Sequence, residues 1–176
     1  MTVIIEGTEL RVDHVLINNR SESIELAPWA ITQFRLGGTA LLPLGRSDGE
    51  LQGDRSLTLW PYSDLSDSRL QIDNSLVLVN ADPGAALKLG AGPNPVRLGY
   101  FLDGYLFVKE FPAAGDSRYA DRGAVGQIFL ERDFCELESL GALTTLAPGS
   151  QATHRETWTL AECDSLETAK QRLVAI

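Results

Sequence analysis

Apolar and polar residues alternate along most of this chain, and the alternation predicts strands. From Glu9 to Asn18, Leu10, Val12, His14 and Leu16 share one parity, while Arg11, Asp13, Val15 and Ile17 share the other. Asn18-Asn19-Arg20-Ser21-Glu22-Ser23 supplies turn chemistry. A second strand is predicted from Ile24 to Leu36, with Pro28 marking an edge or a bulge. Gly37-Gly38 reads as a turn and Thr39 to Leu44 as a short strand, so the opening predicts a β-meander. Residues 45–72 lose the alternation. They are polar, with Asp48-Gly49, Gly53-Asp54 and the stretch from Trp60 to Arg69, and a loop this long is often functional.

Strands are predicted again at Ser75–Asn80, Val96–Leu102, Tyr105–Phe111, Ala124–Glu131, Phe134–Leu140 and Thr153–Ala161. Asp82-Pro83-Gly84 reads as a turn and Gly90-Ala91-Gly92-Pro93-Asn94-Pro95 as a loop. Asp103-Gly104 is a strong hairpin signal, and Pro148-Gly149 suits the centre of a type II turn. Only the C-terminal end has a helical period: Leu166, Ala169 and Leu173 make one stripe, with Asp164 as cap and Glu167 as its capping-box partner. About ten short strands and one helix predict an all-β fold, an antiparallel β-sandwich. The sandwich domain is expected over residues 1–163, with the helix of 164–176 packed on it.

Composition narrows the function class. Among 176 residues the net charge is -9, which argues against nucleic acid or an anionic membrane as partner. No apolar run approaches the ~20 residues that span a bilayer. Met1 to Gly7 has no basic segment of the kind that opens a signal peptide. Cys135 and Cys163 make no disulfide framework and read as reduced thiols, so a cytoplasmic location is expected. His14, His154, Cys135 and Cys163 are too far apart for zinc-ligand spacing, and no Gly-x-Ser-x-Gly elbow is present. Gly90-Ala91-Gly92 fails as a phosphate loop, because Pro93 and Pro95 lack N–H donors and no helix is predicted there. No cofactor and no metal are expected.

Four groups of residues can carry chemistry. Glu136 and Glu138 fall on one face of a strand, roughly 7 Å apart, where mutual repulsion raises one pKa and suits acid–base work; a solvated outer face over buried Cys135 and Leu137 is the plainer alternative. The loop from Trp60 to Arg69 mixes Trp60 and Tyr62 with Asp64, Asp67 and Arg69, as sugar sites do; a loop pinned by its own aromatics and Asx turns fits equally well. His14 reads as a core or edge histidine, and His154 as one able to pair with Glu156 on a partly exposed face. Tyr105, Phe107, Lys109 and Phe111 share a face, where Lys109 reads as structural, a cation–π contact.

Several segments also carry a resemblance. Ala27-Pro28-Trp29-Ala30-Ile31-Thr32-Gln33, Leu59-Trp60-Pro61-Tyr62-Ser63-Asp64-Leu65, Glu136-Leu137-Glu138-Ser139-Leu140-Gly141 and Leu146-Ala147-Pro148-Gly149, leading to Glu156-Thr157-Trp158, resemble an uncharacterised bacterial family. That family is similar to the galactose mutarotase (aldose 1-epimerase) superfamily. The resemblance covers roughly residues 8–162 and implies a large antiparallel β-sandwich that holds a sugar on one sheet's concave face. In those enzymes a glutamate removes the anomeric hydroxyl proton and a histidine protonates the ring oxygen. The resemblance puts the glutamate at Glu138, with Glu136 as the alternative register, and a sugar-binding aspartate at Asp73. It puts Trp29 where the histidine stands, and an indole N–H is no general acid. Aldose epimerase activity is therefore doubtful or lost, while Trp29 can still stack on a pyranose. The expected site is catalytic Glu138 and Glu136 with sugar-binding Trp29, Trp60, Tyr62, Arg69 and Asp73. The similar part is the superfamily's C-terminal portion, so a truncated sandwich is expected. The competing expectation is a non-catalytic half-sandwich that forms a homodimer or pairs with a separately encoded half.

Overall fold

The computed structural model describes residues 1–45, 51, 53–93, 96–114 and 116–174. The predicted turn at Asp48-Gly49, and Asn94 and Pro95 of the predicted loop, lie outside the described residues. In chain order the strands are β1 (Thr2–Glu6), β2 (Glu9–Ile17), β3 (Ile24–Leu26), β4 (Trp29–Phe34), β5 (Thr39–Pro43), β6 (Leu57–Leu59), β7 (Leu70–Ile72) and β8 (Leu76–Asn80). They continue with β9 (Leu87–Ala91), β10 (Arg97–Leu102), β11 (Tyr105–Glu110), β12 (Gly126–Leu130), β13 (Cys135–Leu140), β14 (Thr144–Leu146) and β15 (Gln151–Glu162). One helix, α1 (Leu166–Val174), follows.

Two sheets form the sandwich. The larger runs β1-β2-β15-β11-β10-β5-β8-β7 and the smaller β4-β13-β12-β9-β6, while β14 and β3 make a separate ribbon. Every pairing is antiparallel. Leu42, Val77, Val79, Leu98 and Tyr100 of the large sheet meet Leu87, Leu89, Ile128, Leu130 and Leu137 of the small one in a single core. On the other side of the large sheet, α1 seats Ala169 and Leu173 against Leu41, Leu76, Leu78 and Leu106. The antiparallel sandwich with a short C-terminal helix is the fold that the alternation predicts.

Three local expectations change. The opening is no meander: β2 pairs with β15, β4 with β13, and β5 with β10 and β8, so the pairing is long-range. The strands β1, β6, β7, β9 and β14 have no counterpart in the predicted set. Four of them lie at sheet or ribbon edges, where a few ladder bonds suffice, and β9, between β12 and β6, ends in the Gly90-Ala91 that read as a loop. The helix cap is Ser165 rather than Asp164: the Ser165 Oγ accepts from the Thr168 N–H at 3.1 Å. The two strong turn signals hold. Asp103 and Gly104 both have positive φ, 49° and 77°, as a two-residue type I′ hairpin needs. Gly149 has φ 78°, and the Ser150 N–H donates to the Ala147 carbonyl at 3.0 Å.

A polar network crosses the core at one end. The Lys109 Nζ, on a fully buried side chain, lies 2.6 Å from Glu156 Oε1 and donates to the carbonyls of Ala30 and Leu137 and to Thr32 Oγ1. The Ser139 hydroxyl donates to the same carboxylate at 2.5 Å, which leaves its oxygen to accept from His154 Nε2 at 2.7 Å. Trp158 Nε1 and His14 Nε2 reach the other oxygen of Glu156 at 3.2 and 3.3 Å. Lys109 is thus an ion-pair partner linking the sheets, not a cation–π contact. His154 is buried on Ser139, and His14 is the histidine that meets Glu156. Both cysteines are free and buried, and burial pushes the Cys135 thiol up to about 12.

Candidate functional site

The small sheet turns one face to the core and the other outward, and the outer face collects the candidate residues. Strand register sets the rows. Lys88, Phe129, Glu136 and Gln33 are consecutive cross-strand neighbours on β9, β12, β13 and β4. The next row is Gly90, Gln127, Glu138 and Ile31, and Leu140 faces Trp29 beyond it. The period of two puts all three rows on one surface. The opposite parity, with Leu87, Leu89, Ile128 and Leu137, fills the core.

Glu138 is the centre of this surface and is only 1% exposed. Its Oε2 accepts from Trp29 Nε1 at 2.7 Å and from Lys88 Nζ at 2.8 Å. Its Oε1 is buried and has no hydrogen-bond donor. Beside it, Gln127 directs its amide nitrogen to Asp121 Oδ2 and the Ala124 carbonyl, both acceptors. That fixes the amide orientation and leaves Gln127 Oε1 buried and unpaired as well. Each such acceptor costs about 1–3 kcal/mol until a donor reaches it.

Aromatic rings box the ammonium. Lys88 Nζ lies 4.7 Å from the Trp60 ring centroid, 5.2 Å from that of Trp29 and 5.8 Å from that of Phe129. Trp60 is placed there by the backbone of β9. Ser63 Oγ donates to the Lys88 carbonyl at 2.5 Å and accepts from the Lys88 N–H at 2.9 Å, while the Ser63 N–H closes a turn on the Trp60 carbonyl. A cavity of about 370 Å³ opens above, lined by Ala27, Trp29, Trp60, Lys88, Ala120, Asp121, Leu140 and Leu143. Trp29 remains 58% exposed, so its ring face is open although its N–H is taken.

Gly90 lets the wall come close. A Cβ there would lie 2.9 Å from both Ala124 Cβ and Gln127 Cγ. The wall itself carries unusual backbone: Asp121 and Arg122 have φ of 50° and 58°, values that non-glycine residues rarely adopt.

The expected residues divide between this surface and the rest of the fold. Trp29 and Trp60 line the cavity, and buried Glu138 is joined to its lining through Trp29 and Lys88. Glu136 lies one row away, accepting from Gln33 at 3.3 Å; burial raises its pKa, and the neighbouring Glu138 charge adds to the rise. Tyr62 packs edge-on against Phe129, 6.5 Å between centroids, with its hydroxyl pKa raised by burial and then by Glu138 and Glu131. Arg69 is elsewhere. Its guanidinium is held by both oxygens of Asp67 and by the carbonyls of Asp82 and Ala85, so it builds the turn before β7. Asp73 is also elsewhere: its Oδ1 accepts from the N–H groups of Ser75 and Leu76 in the β7–β8 turn, and those bonds hold its pKa down. Sequence reasoning missed Lys88, Gln127 and Asp121. Leu87-Lys88-Leu89 does alternate, but the glycines after it read as a loop.

A larger groove, about 820 Å³, lies by His14, Phe111, His154 and Arg155. Both imidazoles there are bonded into the inter-sheet network. Among the described residues no three metal-ligating side chains cluster, and no helix is long and apolar enough to cross a membrane.

No protein-family model matches the sequence, and no curated protein matches it. Solved structures do match by shape. A provisionally assigned aldose 1-epimerase of Escherichia coli K12 superposes with a TM-score of 0.59 at 13% identity, over 91% of this chain and 58% of its own. One of Klebsiella pneumoniae gives 0.57 at 13% identity, over 96% of this chain and 47% of its own. A galactose mutarotase-like protein of Lactobacillus casei gives 0.57 at 11% identity, over 90% and 61%.

The chain has the galactose mutarotase-like fold.

It spans about half to three-fifths of the length of those structures. Within this mutarotase-like sandwich, the candidate surface is the outer face of the smaller sheet, and Glu138 stands on its second strand.

Proposed function

We propose that this mutarotase-like chain binds a sugar in the cavity between Trp29 and Trp60. One observation carries the reading: a buried carboxylate, Glu138, has one oxygen held by Trp29 and Lys88 and the other without a donor, beneath a cavity with two indole walls. A pyranose offers both complements, an apolar C–H face for an indole and hydroxyls for bare acceptors. Gln127 Oε1 supplies a second bare acceptor on the next strand. Calorimetric titration with monosaccharides and sugar phosphates tests this. We expect binding of at least one sugar, roughly tenfold weaker in Trp60→Ala and weaker still in Glu138→Gln. A panel that gives no heat with the wild-type protein removes the reading.

A second reading rests on a different surface. Val3 and Ile5 on β1 and Leu160 on β15 are 49%, 73% and 62% exposed. Register puts them on the face that elsewhere meets the small sheet. Such a row suits a second copy of the chain or a separate partner half. Light scattering after size exclusion is expected to show a dimer that Ile5→Glu dissociates; a wild-type monomer at every concentration excludes the homodimer.

A further inference from the structure

The large sheet has a gap inside its ladder. β15 keeps β2 along one side from Gln151 to Thr159, but β11 covers its other side only from Thr157 to Glu162. Extending the register of Glu110 on Thr157 sets Pro112 opposite Arg155 and Ala114 opposite Thr153. Pro112 has no N–H to donate. The Ala114 N–H donates instead to the Tyr119 hydroxyl at 2.8 Å, and the Ala114 carbonyl accepts from the Ser117 N–H at 3.1 Å. The chain thus turns off the sheet where β15 still continues.

Ladder alternation tells which groups stay open. On the β2 side the Ser150 carbonyl accepts from the Asn18 N–H at 2.9 Å, and on the β11 side the Cys163 N–H donates to the Gly104 carbonyl at 2.8 Å. With a period of two, His154 and Glu156 aim their backbone groups at β2, and Thr153 and Arg155 aim theirs at the uncovered side. Among the described residues no strand pairs with them there. Both residues line the groove of about 820 Å³, together with Val96, Phe111 and Pro112. Open N–H and carbonyl groups at strand spacing match an extended peptide, which offers the same groups at the same spacing.

Charge sets the occupant's chemistry. In the groove, Asp13 is taken by Arg155 Nε at 2.6 Å and Arg11 Nε at 3.3 Å. Glu110 is held more loosely, by Arg97 at 3.6 Å, and its side chain remains 43% exposed. A segment antiparallel to β15 runs in the direction of β11, so its N-terminal end lies beside Glu110, where a cation is complementary. The net charge of -9 favours the same sign.

We propose that this groove is a β-augmentation site for a separate polypeptide. An extended segment of about five residues, cationic at its N-terminal end, pairs with Thr153 and Arg155 and resumes the ladder that β11 leaves. Its residues opposite Thr153 and Arg155 share their face, and the residue between them turns to the side of His154 and Phe111, where an apolar side chain fits. The site is separate from the cavity by Trp29 and Trp60, and its test is independent of sugar binding.

Fluorescence polarisation tests this with a hexapeptide, Lys-Val-Thr-Val-Thr-Val, carrying a dye at its C-terminal end. Amide hydrogen exchange on the full chain runs beside it. In the free protein the amides of Thr153 and Arg155 are expected to exchange at least about tenfold faster than those of His154 and Glu156. The peptide is expected to bind and to slow both about tenfold or more. Lys-Val-Pro-Val-Thr-Val, which lacks the N–H opposite Thr153, is expected to bind about tenfold more weakly and leaves the protein untouched. Thr153→Pro removes the matching N–H while sparing the β2 ladder, and a similar loss is expected. Glu110→Lys is expected to weaken binding about threefold and to reduce its salt dependence. No rise in polarisation up to about 1 mM protein overturns the proposal. Binding that leaves exchange at Thr153 and Arg155 unchanged, or equal binding of the proline peptide, also overturns it. Protection of these amides in the free chain that disappears on dilution gives the edge to a second copy and overturns the separate polypeptide.

Discussion

Lys109→Met is expected to lower the unfolding free energy by about 3–5 kcal/mol, the range for removing one partner of a buried ion pair. That is a large part of the ~5–15 kcal/mol that holds an ordinary domain together. The ammonium is fully buried and serves Glu156 and three oxygens of the small sheet, from Ala30, Thr32 and Leu137. Burial lowers the Lys109 pKa against the pull of Glu156, and Lys109 in turn keeps the Glu156 carboxyl below its ordinary range despite burial. A methionine fills similar volume but leaves the carboxylate and two carbonyls without their cation. Urea unfolding measures the loss. A second change, Glu156→Gln, is expected to restore part of it, since the uncompensated charge then disappears. A single variant within about 1 kcal/mol of wild type, the net worth of one ordinary hydrogen bond, contradicts this account.

The second large effect follows from His154. Burial, the first cause, pushes its pKa from 6.5 down to about 4. The folded chain therefore holds it neutral where the unfolded chain protonates it. Above pH 6.5 neither state binds the proton, and stability is complete. As the pH falls from 6.5 toward 4, the unfolded state gains a proton that the folded state refuses, and stability drops by about 3 kcal/mol. Below pH 4 both states are protonated and this contribution is constant. Glu156 adds a further loss at lower pH, because its folded pKa lies below its ordinary 4.5. His154→Gln is expected to be less stable at pH 7, through the altered bond to Ser139, yet to lack the drop between pH 6.5 and 4. Unfolding curves at pH 7 and pH 4.5 for both proteins decide it. An equal drop in the variant assigns the pH dependence to other groups.

The candidate site was legible in parts, for separable reasons. Glu136 and Glu138 follow from strand alternation, which any period of two reveals. Trp29 and Trp60 were named from the resemblance and the aromatic loop, but their meeting across Lys88 depends on β4 and β6 being opposite edges of one small sheet. Lys88 and Gln127 had only weak local signals. Lys88 alternates between two leucines, and Gln127 lies in a predicted strand, yet neither has a motif neighbour that points to chemistry. Arg69 and Asp73 look like ligand residues in the sequence because Asp, Arg and Ser serve turns and sugars with the same groups. In the fold each already has its partners.

By itself the sequence determined the strand-rich class, the hairpin at Asp103-Gly104, the turn at Pro148-Gly149, the terminal helix and the parity that turns Glu138 away from Leu137. These are properties of neighbours a few residues apart, where φ preference and a period of two or 3.6 suffice. Tertiary structure alone decided that β2 lies on β15, that Lys109 closes on Glu156, and that Lys88 meets Glu138 between two indoles. The β2–β15 partners are 134 to 150 positions apart, Lys109 and Glu156 are 47 apart, and Lys88 and Glu138 are 50 apart. Their free energy comes from desolvation and charge pairing inside the assembled sandwich, and no local pattern records it.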